Sequence, residues 1–554
     1  MVVPANFPPA IGESAALLTG VLAFVVIYRL TFHPLAKYPG PLFSRLSGWP
    51  LFFQAAGGDR HLESWKEHET YGKLSYDYFL SSINKFSGPI VRIAPNAVSI
   101  NTIAGLRAIN GDRNANVKRG AWYLTIDYAS EACSVHTELD IHKHAFRRRV
   151  LEHAFSESAL RSAERFVHEN VARWLEHIGK GAPAGQWTPA KNMAQWCTYL
   201  GFDVMGDLTF GRRFDCIGSD ENRYIPKLMM DSGRVVGFLG YLPCIALVRP
   251  LLKTRLMNLI VGDMSKNGLK FVEYANNQMA SRIAEEKETN PAKAPRKDFV
   301  HYLVNAKDPL TGKGLTTAEL NSDSSTLISA GSDTVAITLS ATIFYLLHYP
   351  DVLEKLTAQI RSAFSSIGHI DGKAVRSDVY LRACIDEALR LAPPVASHLP
   401  REVLPGGLTV DGHYFAPGTT VGTPTYAIQH NPEYYPDPFK YRPERWIADE
   451  TVGGIQSPES VATARAAFCA FNIGRRGCVG KNIAYLELHV ALAKLLYTYD
   501  LRLPEAKHRE PSGEGVSDHE NPARRRRDEY QFKDRFVAVR DGPMVEFKCR
   551  QGVC

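Results

Sequence analysis

Residues 471–480 read FNIGRRGCVG. Cys478 has Gly477 and Gly480 beside it and Arg475 and Arg476 just before it. Glycines let the backbone come close to a flat ligand and aim amides at sulfur. Amides and nearby cations favour thiolate over thiol. The pattern suits an anionic metal ligand, with Phe471 placed to cover the sulfur and keep water away. A lone cysteine is more often a small core residue, and the spacing of Phe, Gly, Arg, Cys and Gly argues against that here. Two more groupings carry polar chemistry. Glu387 and Arg390 stand at i and i+3, so they share a helix face and can pair; alone, this is an ordinary surface ion pair. Ala330-Gly331-Ser332-Asp333-Thr334 sets a small pair, an acid and an alcohol in an otherwise apolar stretch. Its bland reading is a packing notch with two solvated polar residues.

Phe471, Gly474, Arg476, Cys478 and Gly480 match F-x-x-G-x-R-x-C-x-G. In this the chain resembles the cytochrome P-450 family of haem-thiolate monooxygenases, over about residues 30–550. The resemblance implies haem b with its iron bound by Cys478. It implies a structural triad of Glu387, Arg390 and Arg445, the last from the phrase FKYRPERW, where Trp446 replaces the commoner phenylalanine. It also implies that Asp333 and Thr334 relay protons through water on the distal side. Haem carboxylates need cations, and Arg476 and Arg401 match family positions. The family's W-x-x-x-R corresponds best to His144-x-x-x-Arg148; the alternative for His144 is a surface histidine next to His142. Arg147 and Arg149, with Arg475 and Lys481, are expected to form a basic face for an acidic electron donor. Electrons from NADPH would come through a separate reductase, because no G-x-G-x-x-G nucleotide site accompanies the cysteine motif. Trp122, Tyr123, Ala330, Val395, Ala396 and Leu399 are candidate walls for an apolar, medium-sized substrate such as a terpenoid, polyketide or alkaloid.

These side chains need long helices to carry them. Thr316-x-x-Glu319 is a capping box, and the helix it opens runs to residue 349 before Pro350. Further helices are expected at about 351–364 and 377–391, then short strands near 408–410 and 419–421. Runs such as 90–93 and 97–100 alternate like strands. The expected fold is mainly α with a small β-rich part, and no internal repeat suggests a solenoid. The chain has 554 residues, 45% apolar and 22% charged, with a formal charge of +7. This composition excludes a disordered chain or a multi-span membrane protein. The charge does not argue for nucleic acid. Nine cysteines without a C-x-x-C pair suggest reduced thiols in a domain facing the cytosol. Residues 15–28, AALLTGVLAFVVIY, carry no charge, and Arg29, Lys37 and Arg45 follow. A short single-pass anchor (residues 1–30) with a luminal N-terminus in the endoplasmic reticulum follows from the positive-inside bias. A Pro-rich hinge (31–45) would then separate it from the catalytic domain (46–554). The Arg524–Arg527 run reads as a solvated loop.

Three functions fit at this stage: a fungal-type tailoring monooxygenase, a haem-thiolate isomerase or dehydratase acting on peroxides, and a non-catalytic gas-binding haem protein. An intact Asp333-Thr334 pair counts against the last two, and detoxification of foreign aromatics is the alternative role for the first. One anomaly interrupts the resemblance. Tyr71-Gly72 and Pro89-Ile90-Val91-Arg92 would join as Tyr-Gly-Pro if residues 73–88 were removed. Gly72-Lys73-Leu74 can be encoded with a splice donor and Phe86-Ser87-Gly88 with an acceptor, so the segment reads as a retained intron; the alternative is a surface loop. Sequencing the transcript should return a message without these codons, and a spliced message that keeps all of them contradicts the reading.

Overall fold

The computed structural model describes residues 9–72, 89–128, 130–181, 183, 185–254, 262–288, 296–449, 456–505 and 512–553. The candidate intron, residues 73–88, lies outside them. Within them the fold is mainly helical with a small β part. The long helix is Thr317–His348. The Thr316 hydroxyl accepts from Glu319 N, and the Glu319 carboxylate accepts from Thr316 N at 2.9 Å. That satisfies two of the donors a helix start leaves open. Tyr349 leaves the helical region ahead of Pro350, as a residue before proline must. At about 1.5 Å per residue the helix is about 48 Å long. Its middle crosses the helix Met193–Phe210 so closely that a Cβ on Gly201 would lie 2.4 Å from Ser332 O.

A five-stranded sheet holds the other side of the site. Its order is Ile90–Ala94, Ala97–Ile100, Thr420–Gly422, Arg401–Val403, Val117–Arg119, antiparallel except between the second and third. In the last pair Arg119 stands directly opposite Arg401. The hinge docks on this sheet and is not a free spacer. Leu35 and Tyr38 are buried with Val98, Ile100 and Phe415, Pro39 O accepts from Arg92 N, and Arg92 Nη1 donates to Arg29 O at 2.7 Å. Apolar side chains at 35 and 38 drive this docking, which ties the end of the N-terminal helix to the body. The expected anchor falls on the helix Pro9–Ile27, continued by a wide turn Tyr28–Phe32. Ser14–Phe32 has mean hydropathy 2.0 and none of it is buried. The helical stretch thus ends at Phe32, two residues beyond the expected boundary.

Behind the site, Glu387 is fully buried and accepts from Arg390 at 2.9 Å, Arg445 at 2.8 Å and Trp446 Nε1 at 3.0 Å. Arg390 also donates to the carbonyls of Gln429 and Pro438. Two other expectations need correction. Arg524 is buried, pairs with Asp59 and donates to Phe532 O, and Arg526 lies 3.5 Å over the Phe439 ring. Only part of that arginine run is a solvated loop, because its partners come from distant segments. Cys549 is disulfide-bonded, whereas seven other cysteines are free; the expectation of reduced thiols throughout fails at the C-terminal end.

Candidate active site

The cysteine loop is shaped by its own backbone. Cys478 N donates to Phe471 O at 2.8 Å and Gly477 N to Gly474 O at 2.9 Å. Gly474 has φ +70°, and a Cβ there would lie 2.0 Å from Asn110 O, so only glycine fits. Phe471 rests on the Tyr485 ring at 5.0 Å. The thiol of Cys478 opens into a cavity of about 1660 Å³ free of protein atoms, part of it open to solvent. Surrounding protein pushes the thiol up from its ordinary range, while the Gly480 amide and the charges of Arg148 and Lys481 act to lower it. A bound metal cation would settle that balance toward thiolate.

Cys478, Thr334, Ala330, Val395 and Leu399 line this one cavity, together with Phe471, His144, Arg148 and Arg476. Trp122, Tyr123 and Ala396 do not line it. Trp122 packs among Tyr123, Tyr241 and Phe536, and Tyr123 is buried beneath Arg401. Gly331 does pack as a notch, since a Cβ there would meet Met205 Sδ at 2.5 Å. The two polar residues beside it part company. Thr334 Oγ donates to Ala330 O at 2.7 Å and faces the cavity. Asp333 is buried on another side of the helix, where Arg540 Nη1 donates to it at 2.7 Å and Arg540 Nη2 reaches Thr198. The basic face is smaller than expected. Arg147 is buried and paired with Asp323 at 2.7 Å, and Arg149 with Asp308 at 2.8 Å, leaving Arg475 and Lys481 exposed.

One rim of the cavity is cationic. Arg148 Nη1 donates to Gly477 O at 2.7 Å and Arg476 Nη1 to Glu138 O at 3.1 Å. Arg119 and His136 line the rim too, and neither was singled out in the sequence. Arg119 could not be: a strand arginine declares itself only when the register sets it against Arg401. Like charges directly opposite in a sheet repel. Nε of Arg119, Nη2 of Arg401 and Nε2 of His136 are buried without hydrogen-bond partners. Burial, with Arg476 and Arg401, pushes Arg119 far below its ordinary range, and burial with Arg401 takes Arg476 down to about 10. Burial, then Arg476 and Arg119, lowers His144 to about 2. Burial and neighbouring like charge act in the same direction here, and they leave His144 a neutral imidazole.

An open cysteine and a cluster of arginines thus meet in one cavity of a helical body, a set of groups that suits a metal cofactor bearing anionic groups. The cytochrome P450 family model matches residues 68–524. The chain is 35% identical over 551 residues to the cytochrome P450 monooxygenase fscF of Fusarium equiseti, covering 97% of this chain and 96% of that protein. It is likewise 35% identical over 540 residues to the cytochrome P450 monooxygenase atnE of Emericella nidulans, covering 96% and 95%. The crystal structure of the cytochrome P450DA haem domain has the same fold, with TM-score 0.69 at 17% identity over 93% of this chain and 98% of that one. The chain therefore belongs to the cytochrome P450 monooxygenase family.

Haem is the cofactor this family implies, and the residues fit it. The orphaned guanidinium nitrogens of Arg119 and Arg401 are donors awaiting anionic acceptors, and the thiol shares a cavity with Arg119. Arg119→Gln keeps the side-chain bulk and removes one charge. A charged hydrogen bond is worth about 1.5–3 kcal/mol, so haem dissociation should rise by about 10–100-fold. Haem transfer to an acceptor protein measures this, with the exposed Arg113→Gln as the control that should not change.

Proposed function

We propose that the enzyme inserts one oxygen atom of O2 into an apolar, medium-sized organic molecule, with electrons from NADPH delivered by a separate reductase. The observation that carries this reading is that one cavity joins Cys478, Thr334 and the arginine rim. Haem bound there with a thiolate behind it supplies an electron-rich iron suited to splitting the O–O bond. Cys478 would hold the iron. Its loop would prevent rotation of the sulfur, and Phe471 would shield it. Arg119, Arg148, Arg401 and Arg476, with His144, would hold the carboxylates. The buried triad of Glu387, Arg390 and Arg445 would keep the loop in place without touching cofactor.

Apolar walls, including Leu106, Val135, Met205 and Leu327, favour an apolar substrate by removing its surface from water. Among the described residues of this lining, the arginines and histidines of the rim and the buried Glu487 are the ionisable groups other than the cysteines. Fungal monooxygenases among the relatives support a tailoring role in secondary metabolism. The apolar Ser14–Phe32 stretch followed by Lys37 and Arg45 supports a single-pass anchor with a luminal N-terminus in the endoplasmic reticulum and the body in the cytosol. Exposed Arg475 and Lys481 are the remaining basic groups for an acidic donor.

Thr334 has a defined task in this account. Its hydroxyl proton is committed to Ala330 O, so its lone pairs accept from water in the cavity. It would hold the water that brings protons to reduced oxygen. Thr334→Ala should fold normally, since alanine is the better helix former. NADPH consumption should survive, product per NADPH should fall severalfold, and peroxide should rise to match. Measuring the three together with a turned-over substrate checks this, and unchanged coupling contradicts the assigned role.

A further inference from the structure

A stretch of chain without regular structure that lies inside a protein needs partners for its backbone polar groups. Residues 130–140 form neither helix nor strand, yet Ser134 and Thr137 are fully buried and Val135 and His136 line the cavity. Local and distant groups supply the partners. Asp127 accepts from Ser134 N at 2.7 Å and from the Thr137 hydroxyl. Val135 O accepts from Arg119 Nη1 at 3.2 Å. Asp323, in the second turn of the long helix, accepts from Val135 N at 2.7 Å. Arg147 stands on the helix Ile141–Ala154. Its Nη1 donates to Cys133 O, and its Nη2 donates to Glu319 O at 3.2 Å and makes an ionic contact with Asp323 Oδ2 at 2.7 Å.

We propose that Asp323, acting through Val135 N and Arg147, is a positioning residue that fixes residues 133–137 as a wall of the cavity and sets the size of molecule that passes it. The proposal rests on the monooxygenase reading above and adds to it a determinant of substrate size. Two observations separate this role from plain stabilisation. The first is the choice of side chains. Both members of the pair are buried, and a buried ion pair adds little net stability, because apolar side chains of similar volume would join the two helices as well. Apolar side chains could neither accept from Val135 N nor donate to Cys133 O. What the charges supply is therefore the attachment of the loop. The second is placement. Leu327, one turn beyond Asp323 on the long helix, lines the cavity together with Val135, so the loop is fastened where it meets that helix. The other holds are less able to replace this one. Asp127 belongs to the same connection and moves with it, and Arg119 also faces the cationic rim. Without Asp323, Val135 N is buried with no acceptor and Arg147 loses its counter-charge. Both costs fall if the loop swings toward water. Val135 then withdraws from Leu327 and the cavity widens on that side.

The test uses the full-length, haem-loaded protein and two azoles that bind ferric haem, imidazole and the larger phenylimidazole, with binding followed by the shift of the haem absorption band in stopped flow. Asp323→Ala removes both contacts, whereas Asp323→Asn keeps an acceptor for Val135 N and loses the charge. The on-rate of phenylimidazole should rise about 10-fold in Asp323→Ala, as for the loss of one charge-assisted hydrogen bond, and by less in Asp323→Asn. The on-rate of imidazole should stay as in wild type, a dependence on ligand size that general destabilisation would not produce. Asp308→Asn breaks the Arg149 pair on the same helix and is the control that should match wild type with both azoles. Hydrogen exchange should find the Val135 amide as slow as the long helix in wild type and fast in Asp323→Ala. If Asp323→Ala does not hold haem, Asp323→Asn and the exchange of wild type decide by the same criteria. Equal acceleration of both azoles, an unchanged phenylimidazole rate, or a rapidly exchanging Val135 amide in wild type overturns the proposal. A wild-type protein whose haem takes neither azole contradicts the enzyme reading itself, whereas azole binding at the same rates in wild type and variants contradicts only the role of Asp323.

Discussion

The carboxylate of Glu387 is the constraint on which the proximal side of the site depends. It is fully buried and meets two guanidinium groups and the Trp446 indole N–H. A buried ion cluster adds little net stability, because desolvation offsets the attraction, yet removing one member leaves an uncompensated charge. Its value lies in geometry. Arg390 donates to Gln429 O, the Gln429 side chain returns to the carbonyls of Leu389 and Arg390, and Gln429 Oε1 accepts from Cys469 N at 3.0 Å. Cys469 O in turn accepts from Asn472 N, and Phe471 O from Cys478 N. A chain of hydrogen bonds therefore runs from the triad to the nitrogen of the cysteine, and one disturbed link would move the sulfur.

The opposite rim is governed by a different physics. Arg119 and Arg401 face each other across a strand pair, and Arg476 and Arg148 approach from two other elements. Alone, this arrangement opposes folding, since burial and mutual repulsion act in the same direction. Such a conflict between local energy and fold is expected where function resides. An anionic ligand turns the repulsion into attraction and couples cofactor binding to the stability of the body. The docked hinge extends the frame outward, because Tyr38 and Arg92 tie the end of the N-terminal helix to the same sheet.

Much of this was legible wherever the chemistry is local in sequence. The cysteine loop, the Glu387–Arg390 pair and the capping box at Thr316 each depend on spacings of a few residues, and spacing survives in a string of letters. The long helix was legible for the same reason, with Pro350 as its stop. What escaped depends on partners far along the chain. Arg147 reads as a surface cation until Asp323 meets it, and Asp333 as a free relay acid until Arg540 does. Arg524 finds Asp59 more than 400 positions away. Arg119 needed the strand register, and Trp122, Tyr123 and Ala396 needed the packing of whole elements to show that they lie outside the cavity wall. Hinge prolines suggested a spacer, while the apolar side chains between them decided that it docks.

The central claim is that Cys478, as thiolate, holds haem iron in this cavity. The most direct measurement is the absorption spectrum of the reduced carbon monoxide complex of wild type and Cys478→His. The account predicts that wild type shows the red-shifted band that gives the family its name, and that Cys478→His retains some haem but loses the band, because a neutral imidazole cannot supply thiolate charge. A wild-type protein that binds haem without the band, or a Cys478→His variant that keeps it, would contradict the assignment.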